Sequence, residues 1–430
     1  MELHGTSSVN ERGVLEIGGC TVDDLAATYG TPLILYDVEQ IRERIRAYRK
    51  SLLSFQVPYV LAYASKAFSC KAMCRLANEE AMWLDVVSGG ELHTALAADF
   101  PPERIYMHGN NKSSDELEYA IMSGIHHIVI DNFDEIDRLV EILRKRNTSM
   151  RVVLRITPGV DAHTHEFITT GTQDSKFGFD LFSGQADEAA SLVLKQEHLI
   201  LIGLHMHIGS QIFEADGFHI ASERMAQLYS RIKVNCDTLE WFNMGGGLGI
   251  RYTKEDRLPP LEQAVKGLIE GAKRAFERVG LALPKLMIEP GRSIVAEAGT
   301  TIYRVGSRKS VPNVRDYIAI DGGMTDNPRL ALYGAVYEAC IANRMFDGSK
   351  QTVSVAGKCC ESGDMILWDA LLPEPHPGDL LAVSCTGAYN YSMASNYNRL
   401  PRPAVVFVER GEARLVIRRE TYSDVCSLDL

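Results

Sequence analysis

The sequence predicts an α/β protein: a (β/α)8 barrel followed by a second, β-rich domain. Three observations carry that expectation. Eight short apolar runs, at 57–63, 83–87, 104–107, 127–130, 151–156, 199–207, 239–243 and 286–288, recur across about 250 residues. Helical patterns separate them, and several open on a capping signature. Ser88 with Glu91, Ser113 with Glu116 and Asn132 with Glu135 each set an acid three residues after a capping side chain. Beyond about residue 290 the rhythm changes to short β-like runs broken by Gly, Pro and Asn. Strand and helix alternating eight times is the pattern of a closed parallel barrel, and exceeds what a doubly wound sheet usually needs.

The bulk properties agree. At 430 residues the chain is too long for one small core, so two domains are expected, with the barrel over 36–285. A formal net charge of -11 argues against a nucleic-acid binder. No apolar run approaches the ~20 residues of a membrane span, and the first ten residues lack the apolar core of a secretion signal. Nine cysteines, scattered without zinc-type pairs, suit free thiols in a reducing cytoplasm. Cys70 and Cys74, four apart, read as one buried helix face.

In chain order, 14–17 and 33–36 read as strands with a short helix between them. The first barrel strand then leads into Tyr63-Ala64-Ser65-Lys66-Ala67-Phe68. A strand buried on both faces has no place for an unpartnered ammonium, which either loses its charge or is compensated. A neutral lysine is a nucleophile that forms Schiff bases with carbonyls. The alternative is that Lys66 opens a solvated loop.

Every later strand also ends in polar residues. Asp85 and Ser88-Gly89-Gly90 follow the second, His108-Gly109-Asn110-Asn111 the third, Asp131 the fourth and Arg155 the fifth. His205 and His207 close the sixth, Gly245-Gly246-Gly247 follow the seventh, and Glu289-Pro290-Gly291-Arg292 the eighth. Catalytic groups of barrels collect at the carboxyl ends of strands, and eight polar ends in phase exceed what solvation explains. Residues 158–180 make a long polar loop, of a length that is usually functional. The runs 301–305, 317–320, 351–355, 380–385, 404–408 and 414–417 supply the β-rich domain.

Several of these groups suggest an anion and a cofactor. Glycines at 245–249 let backbone N–H groups approach a phosphate, although a tight turn explains them equally well. Arg292 would add charge-assisted donors to such an anion or to a substrate carboxylate. Glu289 needs a cation, either Arg292 in a salt bridge or a cofactor pyridinium nitrogen. His205 and His207 share a strand face and could bind metal. The other strand ends offer glycines and Glu289 rather than a clear ligand set, so no metal is expected. His207 could instead stack on a cofactor ring, and His205 could be a satisfied core histidine.

Taken together, these stretches resemble the pyridoxal phosphate (PLP)-dependent diaminopimelate decarboxylases of the alanine-racemase-like fold. The similar segments run almost end to end and include Tyr63-Ala-Ser-Lys66-Ala, Ser88-Gly-Gly-Glu91, His108-Gly-Asn-Asn-Lys-Ser113, Arg155-Ile-Thr-Pro-Gly159 and Ser175-Lys-Phe-Gly178. Further on come His205-Met-His-Ile-Gly-Ser-Gln211, Gly245-Gly-Gly-Leu-Gly249, Glu289-Pro-Gly-Arg292, Met324-Thr-Asp-Asn-Pro-Arg329, Cys360-Glu-Ser-Gly-Asp364 and Gly387-Ala-Tyr389. Phe68, Met206 and Leu330 depart from the common pattern without removing a functional group.

The resemblance implies roles. Lys66 would carry PLP as a Schiff base, His207 would stack on its ring and Glu289 would pair with its nitrogen. Ser210, Gly246, Gly247, Gly291 and Arg292 would surround the phosphate, Arg155 the phenolic oxygen, and Tyr389 would complete the cofactor site. Arg292, Arg329, Tyr333, Glu361 and Tyr389 would bind substrate, and Cys360 would return a proton to carbon. The implied reaction is decarboxylation of meso-2,6-diaminopimelate to L-lysine and CO2. The alternative is a related PLP decarboxylase of ornithine, D-lysine or a carrier-bound acyl amino acid. The implied assembly is a homodimer with shared active sites, in which 1–35 joins 286–430 in the β-rich domain.

Overall fold

The computed structural model describes residues 1–160, 174–348 and 350–430. Its chain forms two compact units, one of Ile45–Gly249 with Leu258–Gly291, the other of Met1–Arg44, Ile250–Arg257 and Arg292–Leu430. Compaction thus draws limits different from the expected 36–285 and 1–35 with 286–430. The eighth barrel strand runs past 285, and the helix Val38–Leu53 is divided between the units.

In the first unit eight strands form a closed parallel barrel. They are β1 (Tyr59–Ala64), β2 (Trp83–Val86), β3 (Ile105–Met107), β4 (His127–Ile130), β5 (Met150–Thr157), β6 (Leu199–Met206), β7 (Trp241–Asn243) and β8 (Lys285–Ile288). β8 pairs β1, and β4 pairs β5, which closes the ring. The centre is filled by Val60, Ala62, Tyr106, Val129, Val153, Ile202, Trp241 and Met287. Side chains two apart on a strand share a face. The next inward position toward the carboxyl ends is therefore His108 after Tyr106, Asp131 after Val129, Arg155 after Val153, Asn243 after Trp241 and Glu289 after Met287. A polar layer sits on an apolar one, and this stacking positions the site.

The caps follow local chemistry. Ser113 and Glu116 form a reciprocal capping box on the helix Ser114–Met122. Ser88 caps its helix by accepting from the Glu91 N–H, but the Glu91 carboxylate turns back to the Val87 N–H at 2.7 Å. Asn132 caps Phe133–Arg146, while Glu135 is drawn inward to Lys112. Cys70 caps Lys71–Glu79, and both Cys70 and Cys74 are buried as expected.

The second unit carries the sheet of the β-rich domain. Its long central strand Gly299–Val311 pairs with Leu33–Asp37, Arg315–Ile320 and Leu380–Val383. Ala404–Glu409 joins parallel to Leu33–Asp37, so the N-terminal segment belongs to this sheet. The sequence reading missed Met365–Leu372, whose outward residues Trp368 and Leu371 break the usual alternation. Of the long loop expected at 158–180, residues 161–173 lie outside the described residues. Its end is not loop: Phe179–Asp180 forms a short strand beside β5.

Candidate active site

Lys66 stands in a short turn, Ser65–Ala67, just past β1. Ser65 and Ala67 are buried, but the Lys66 side chain is exposed. Of the two expectations for Lys66, burial with its strand or the opening of a solvated loop, the exposure fits the second. β1 stops at Ala64, whose N–H donates to the Pro290 carbonyl at 3.3 Å, and the chain turns outward. The Tyr63 hydroxyl closes the turn by donating to the Phe68 carbonyl at 2.8 Å.

Glu289 lies at the end of β8 and is 6 % exposed. Three donors converge on its Oε1: the Tyr106 hydroxyl at 2.7 Å, the His108 Nε2–H at 3.0 Å and the Asn243 amide at 2.6 Å. Oε2 has His205 Nε2 at 3.3 Å. Burial pushes this carboxyl up, but the imidazoles of His108 and His205 outweigh burial and hold Glu289 well below the usual range. Burial also lowers His108 to about 3, so at neutral pH it meets Glu289 as a neutral N–H donor. Asp85 goes the other way. Burial and then the Glu289 charge raise it well above its ordinary value, despite the Lys66 cation. The two carboxyls are thus pushed apart, Glu289 toward its charged form and Asp85 toward its neutral one.

Around this pair, Arg155 Nε lies 3.7 Å from Asp131 Oδ1, and its guanidinium sits 4.3 Å from the Phe177 ring centroid. The Gly178 N–H donates to Asp131 Oδ2 at 3.1 Å, so the Ser175–Gly178 motif braces Arg155. His207 Nδ1 accepts from the Gly246 N–H at 3.4 Å. Burial lowers His207 well below its ordinary value, with Lys66 and Arg155 adding to the effect. Ser210 is half-buried in the same loop.

The glycines have a physical reason. Gly245 and Gly247 take φ of 69° and 112°, which L side chains rarely adopt. A Cβ on Gly246 would lie 2.2 Å from the Glu289 carbonyl oxygen, and one on Gly247 2.4 Å from the Gly209 oxygen. Gly291 packs on Ala64 and Ala67 beneath the Lys66 turn. Asp85 Oδ1 and His205 Nδ1 are buried without hydrogen-bond partners among the described residues. A lysine, an ionised buried carboxylate, a glycine cradle and orphaned polar atoms fit PLP. His108, His205 and Glu289 also bring ligand atoms within 4.8 Å of one another, close enough for a metal ion. Tyr106 and Asn243 already donate into Glu289 Oε1, which competes with that use.

The β-rich unit gathers a second set. Arg292 and Arg329 are buried at 5 % and 7 % exposure. Arg292 donates to the Tyr252 hydroxyl at 2.6 Å and sits 4.9 Å from the Tyr389 ring centroid. Arg329 donates to the Tyr337 hydroxyl at 2.8 Å and sits 4.7 Å from the Tyr252 ring centroid. No carboxylate among the described residues pairs with Arg329, so a buried guanidinium is left facing aromatic rings and hydroxyls. Tyr333 is half-buried at the end of the helix Arg329–Tyr333. Cys360 and Glu361 are exposed in the loop after Gln351–Ala356, whereas burial raises the adjacent Cys359 thiol to about 12.

Sequence reasoning gave no role to Tyr106, Asn243, Tyr252 or Tyr337. For Tyr106 and Asn243 the signal was available, since each is a polar group at an inward strand position beside one already noted. Tyr252 and Tyr337 sit in irregular segments, where no periodicity marks them.

Comparisons with known proteins agree with this chemistry. The family model for the pyridoxal-dependent decarboxylase pyridoxal-binding domain matches residues 38–296. The diaminopimelate decarboxylase of Bacillus subtilis is 55% identical over 434 residues, covering 100% of this chain and 98% of that protein. The enzyme of the same name from Bacillus methanolicus is 53% identical, with 98% of each covered. Among solved structures, a diaminopimelate decarboxylase from M. jannaschii in complex with L-lysine matches with a TM-score of 0.92 and 33% identity, over 99% of this chain and 98% of that one. A lysine/ornithine decarboxylase from Vibrio vulnificus, at 20% identity and a TM-score of 0.75, shares the fold.

Proposed function

The chain belongs to the diaminopimelate decarboxylases, PLP-dependent carboxy-lyases that convert meso-2,6-diaminopimelate to L-lysine and CO2, and from that premise we propose how its side chains divide the work. When bound, PLP supplies an electron sink for the carbon that loses CO2. The barrel is the PLP-binding part. Lys66 would carry the cofactor covalently; the residue is exposed, between the buried Ser65 and Ala67 of its turn. Glu289 would pair with the cofactor nitrogen; its Oε1 already accepts from Tyr106, His108 and Asn243, and Oε2 has His205 Nε2 at 3.3 Å. That arrangement of an ionised, oriented, buried carboxylate is the observation that carries the assignment. His207 would stack on the ring and Arg155 would meet its phenolic oxygen. Ser210, Gly246, Gly247 and Gly291 would hold the phosphate, and Arg292 would be a further donor to it.

Substrate recognition falls to Arg292, Arg329, Tyr333, Glu361 and Tyr389. Among the described residues the buried Arg329 guanidinium has no carboxylate partner, which favours a substrate with a distal carboxylate over ornithine or a simple diamine precursor. Cys360 delivers the proton that replaces CO2. We further infer a cytoplasmic homodimer in which Cys360 and Glu361 complete the partner's site. Their exposure on the β-rich unit and nine cysteines free of disulfides support this reading.

The test is a product assay with meso-diaminopimelate, with and without added PLP, followed by borohydride reduction and tryptic mapping. The pyridoxyl group is expected on the Lys66 peptide. An adduct elsewhere, or a clear preference for ornithine, would overturn the assignment.

A further inference from the structure

The loop that bears Cys360 is fastened at two successive peptides. The Cys359 N–H donates to Asp364 Oδ2 at 2.7 Å, and the same carboxylate accepts the Met324 N–H through Oδ1 at 2.6 Å. Asp364 is buried and tightly enclosed, since a Cβ on Gly323 or Gly357 would lie 2.5 Å or 2.2 Å from its oxygens. One residue on, the Cys360 N–H donates to Asn398 Oδ1 at 2.7 Å. The Tyr397 hydroxyl reaches the Cys360 carbonyl at 3.4 Å, a weaker contact.

Asn398 is held in an unusual backbone. It has φ 52° and ψ 24°, and Arg399 follows at φ 56°, two consecutive non-glycine residues in the left-handed region. Left-handed backbone is disfavoured for L residues, although asparagine tolerates it best among those with side chains. A glycine would serve a bare turn with less strain, so the side chain at 398 calls for a reason. Among the described residues, its amide meets the Cys360 N–H alone. Strained backbone of this kind clusters where function needs a fixed geometry.

We propose that Asn398 is a positioning residue for the Cys360 thiol. This deepens, and rests on, the reading of Cys360 as proton donor. In that step the bond to the departing carboxylate breaks, CO2 leaves, and the electron pair left on carbon takes the proton from Sγ. The thiolate then regains a proton from solvent. A cysteine side chain has one heavy-atom torsion, so once its backbone is fixed Sγ has three staggered positions. With the Asn398 acceptor gone, Cys360 keeps only the anchor at Cys359 and the long Tyr397 contact. The loop then drifts and water reaches the carbon from either face.

Decarboxylation of meso-diaminopimelate in D2O by the PLP-loaded enzyme tests this, because the new C–H of L-lysine carries the label. NMR of the product reads which of the two hydrogens on that carbon is deuterium. The wild-type label should occupy one position. Asn398→Gly, which suits the left-handed backbone but lacks the amide, should distribute it over both and lower kcat about tenfold at nearly constant KM. Asn398→Asp keeps an acceptor and should restore single-sided labelling. One-sided labelling with unchanged kcat in Asn398→Gly, while Cys360→Ser scrambles the label, would overturn the positioning role alone. Failure of Asn398→Asp to rescue would also overturn it, leaving a merely structural turn. One-sided labelling in Cys360→Ser would overturn the donor reading and the proposal with it.

Discussion

Lys112 offers the sharpest energetic test of how the barrel mouth is built. It is 1 % exposed, and Glu135 is fully buried. The ammonium donates all three protons: to Glu135 Oε1 at 2.7 Å, the Gly109 carbonyl at 2.6 Å and the Val129 carbonyl at 2.9 Å. Lys112 therefore ties the His108–Asn111 loop to β4 and to the helix Phe133–Arg146. Lys112→Met removes the cation and leaves a buried carboxylate, which costs about 3–5 kcal/mol. Two carbonyls that lose a donor add about 1 kcal/mol. A loss of about 4–6 kcal/mol is thus expected, a large share of the ~5–15 kcal/mol by which native proteins are stable. Lys112→Met/Glu135→Leu should recover most of it, because a buried ion pair and a matched apolar pair are close in free energy.

The sign of the pH dependence is also fixed. Burial raises Glu135, and Lys112 is what pulls it down. Without Lys112 the folded pKa lies further above the unfolded value of about 4.3. A carboxyl raised in this way favours the fold below its unfolded pKa and loses that contribution as pH rises through the folded one. The deficit of Lys112→Met should therefore be full at pH 8 and shrink as pH falls toward 5. Urea unfolding followed by circular dichroism, at constant excess PLP, measures both effects. A loss under 1 kcal/mol, or a double variant no better than the single, would refute the reasoning.

Three further outcomes follow from the site. Glu289→Gln keeps an acceptor for Tyr106 and Asn243 but removes the charge, so kcat should fall about 10²-fold or more with the fold intact; steady-state rates within threefold of wild type would exclude a pyridinium partner there. Arg329→Gln should lower kcat/KM for meso-diaminopimelate about 10²-fold, as expected for loss of a buried charge-assisted contact, and a change under threefold would contradict a carboxylate-reading role. Mixing inactive Lys66→Ala and Cys360→Ala chains should restore part of the activity if sites are shared; heterodimers shown by native mass spectrometry to form, yet without activity, would argue against sharing.

The barrel was legible in the sequence because its signal is local. Strand runs, capping residues and polar strand ends recur at a fixed spacing, and alternation alone puts Glu289 on the face of Met287 and His108 on that of Tyr106. The same holds for Lys66, which any reading of β1 leaves at the strand's end. The sequence left its burial or exposure open, because that depends on where β1 stops, and the Pro290 carbonyl helps set that point from more than 200 residues away. The β-rich unit was read less well, since Met365–Leu372 carries apolar residues on both faces.

Chain order and periodicity by themselves determined the barrel, the inward polar layer and the kind of chemistry it could host, since these follow from spacing along one strand at a time. Tertiary packing decided which donors meet Glu289, that Lys112 is a buried clamp, that Arg329 lies among tyrosines, and that Asn398 meets Cys360. Each of those depends on groups brought together from distant segments, where distance, desolvation and the direction of a donor set the energy and no local pattern records them.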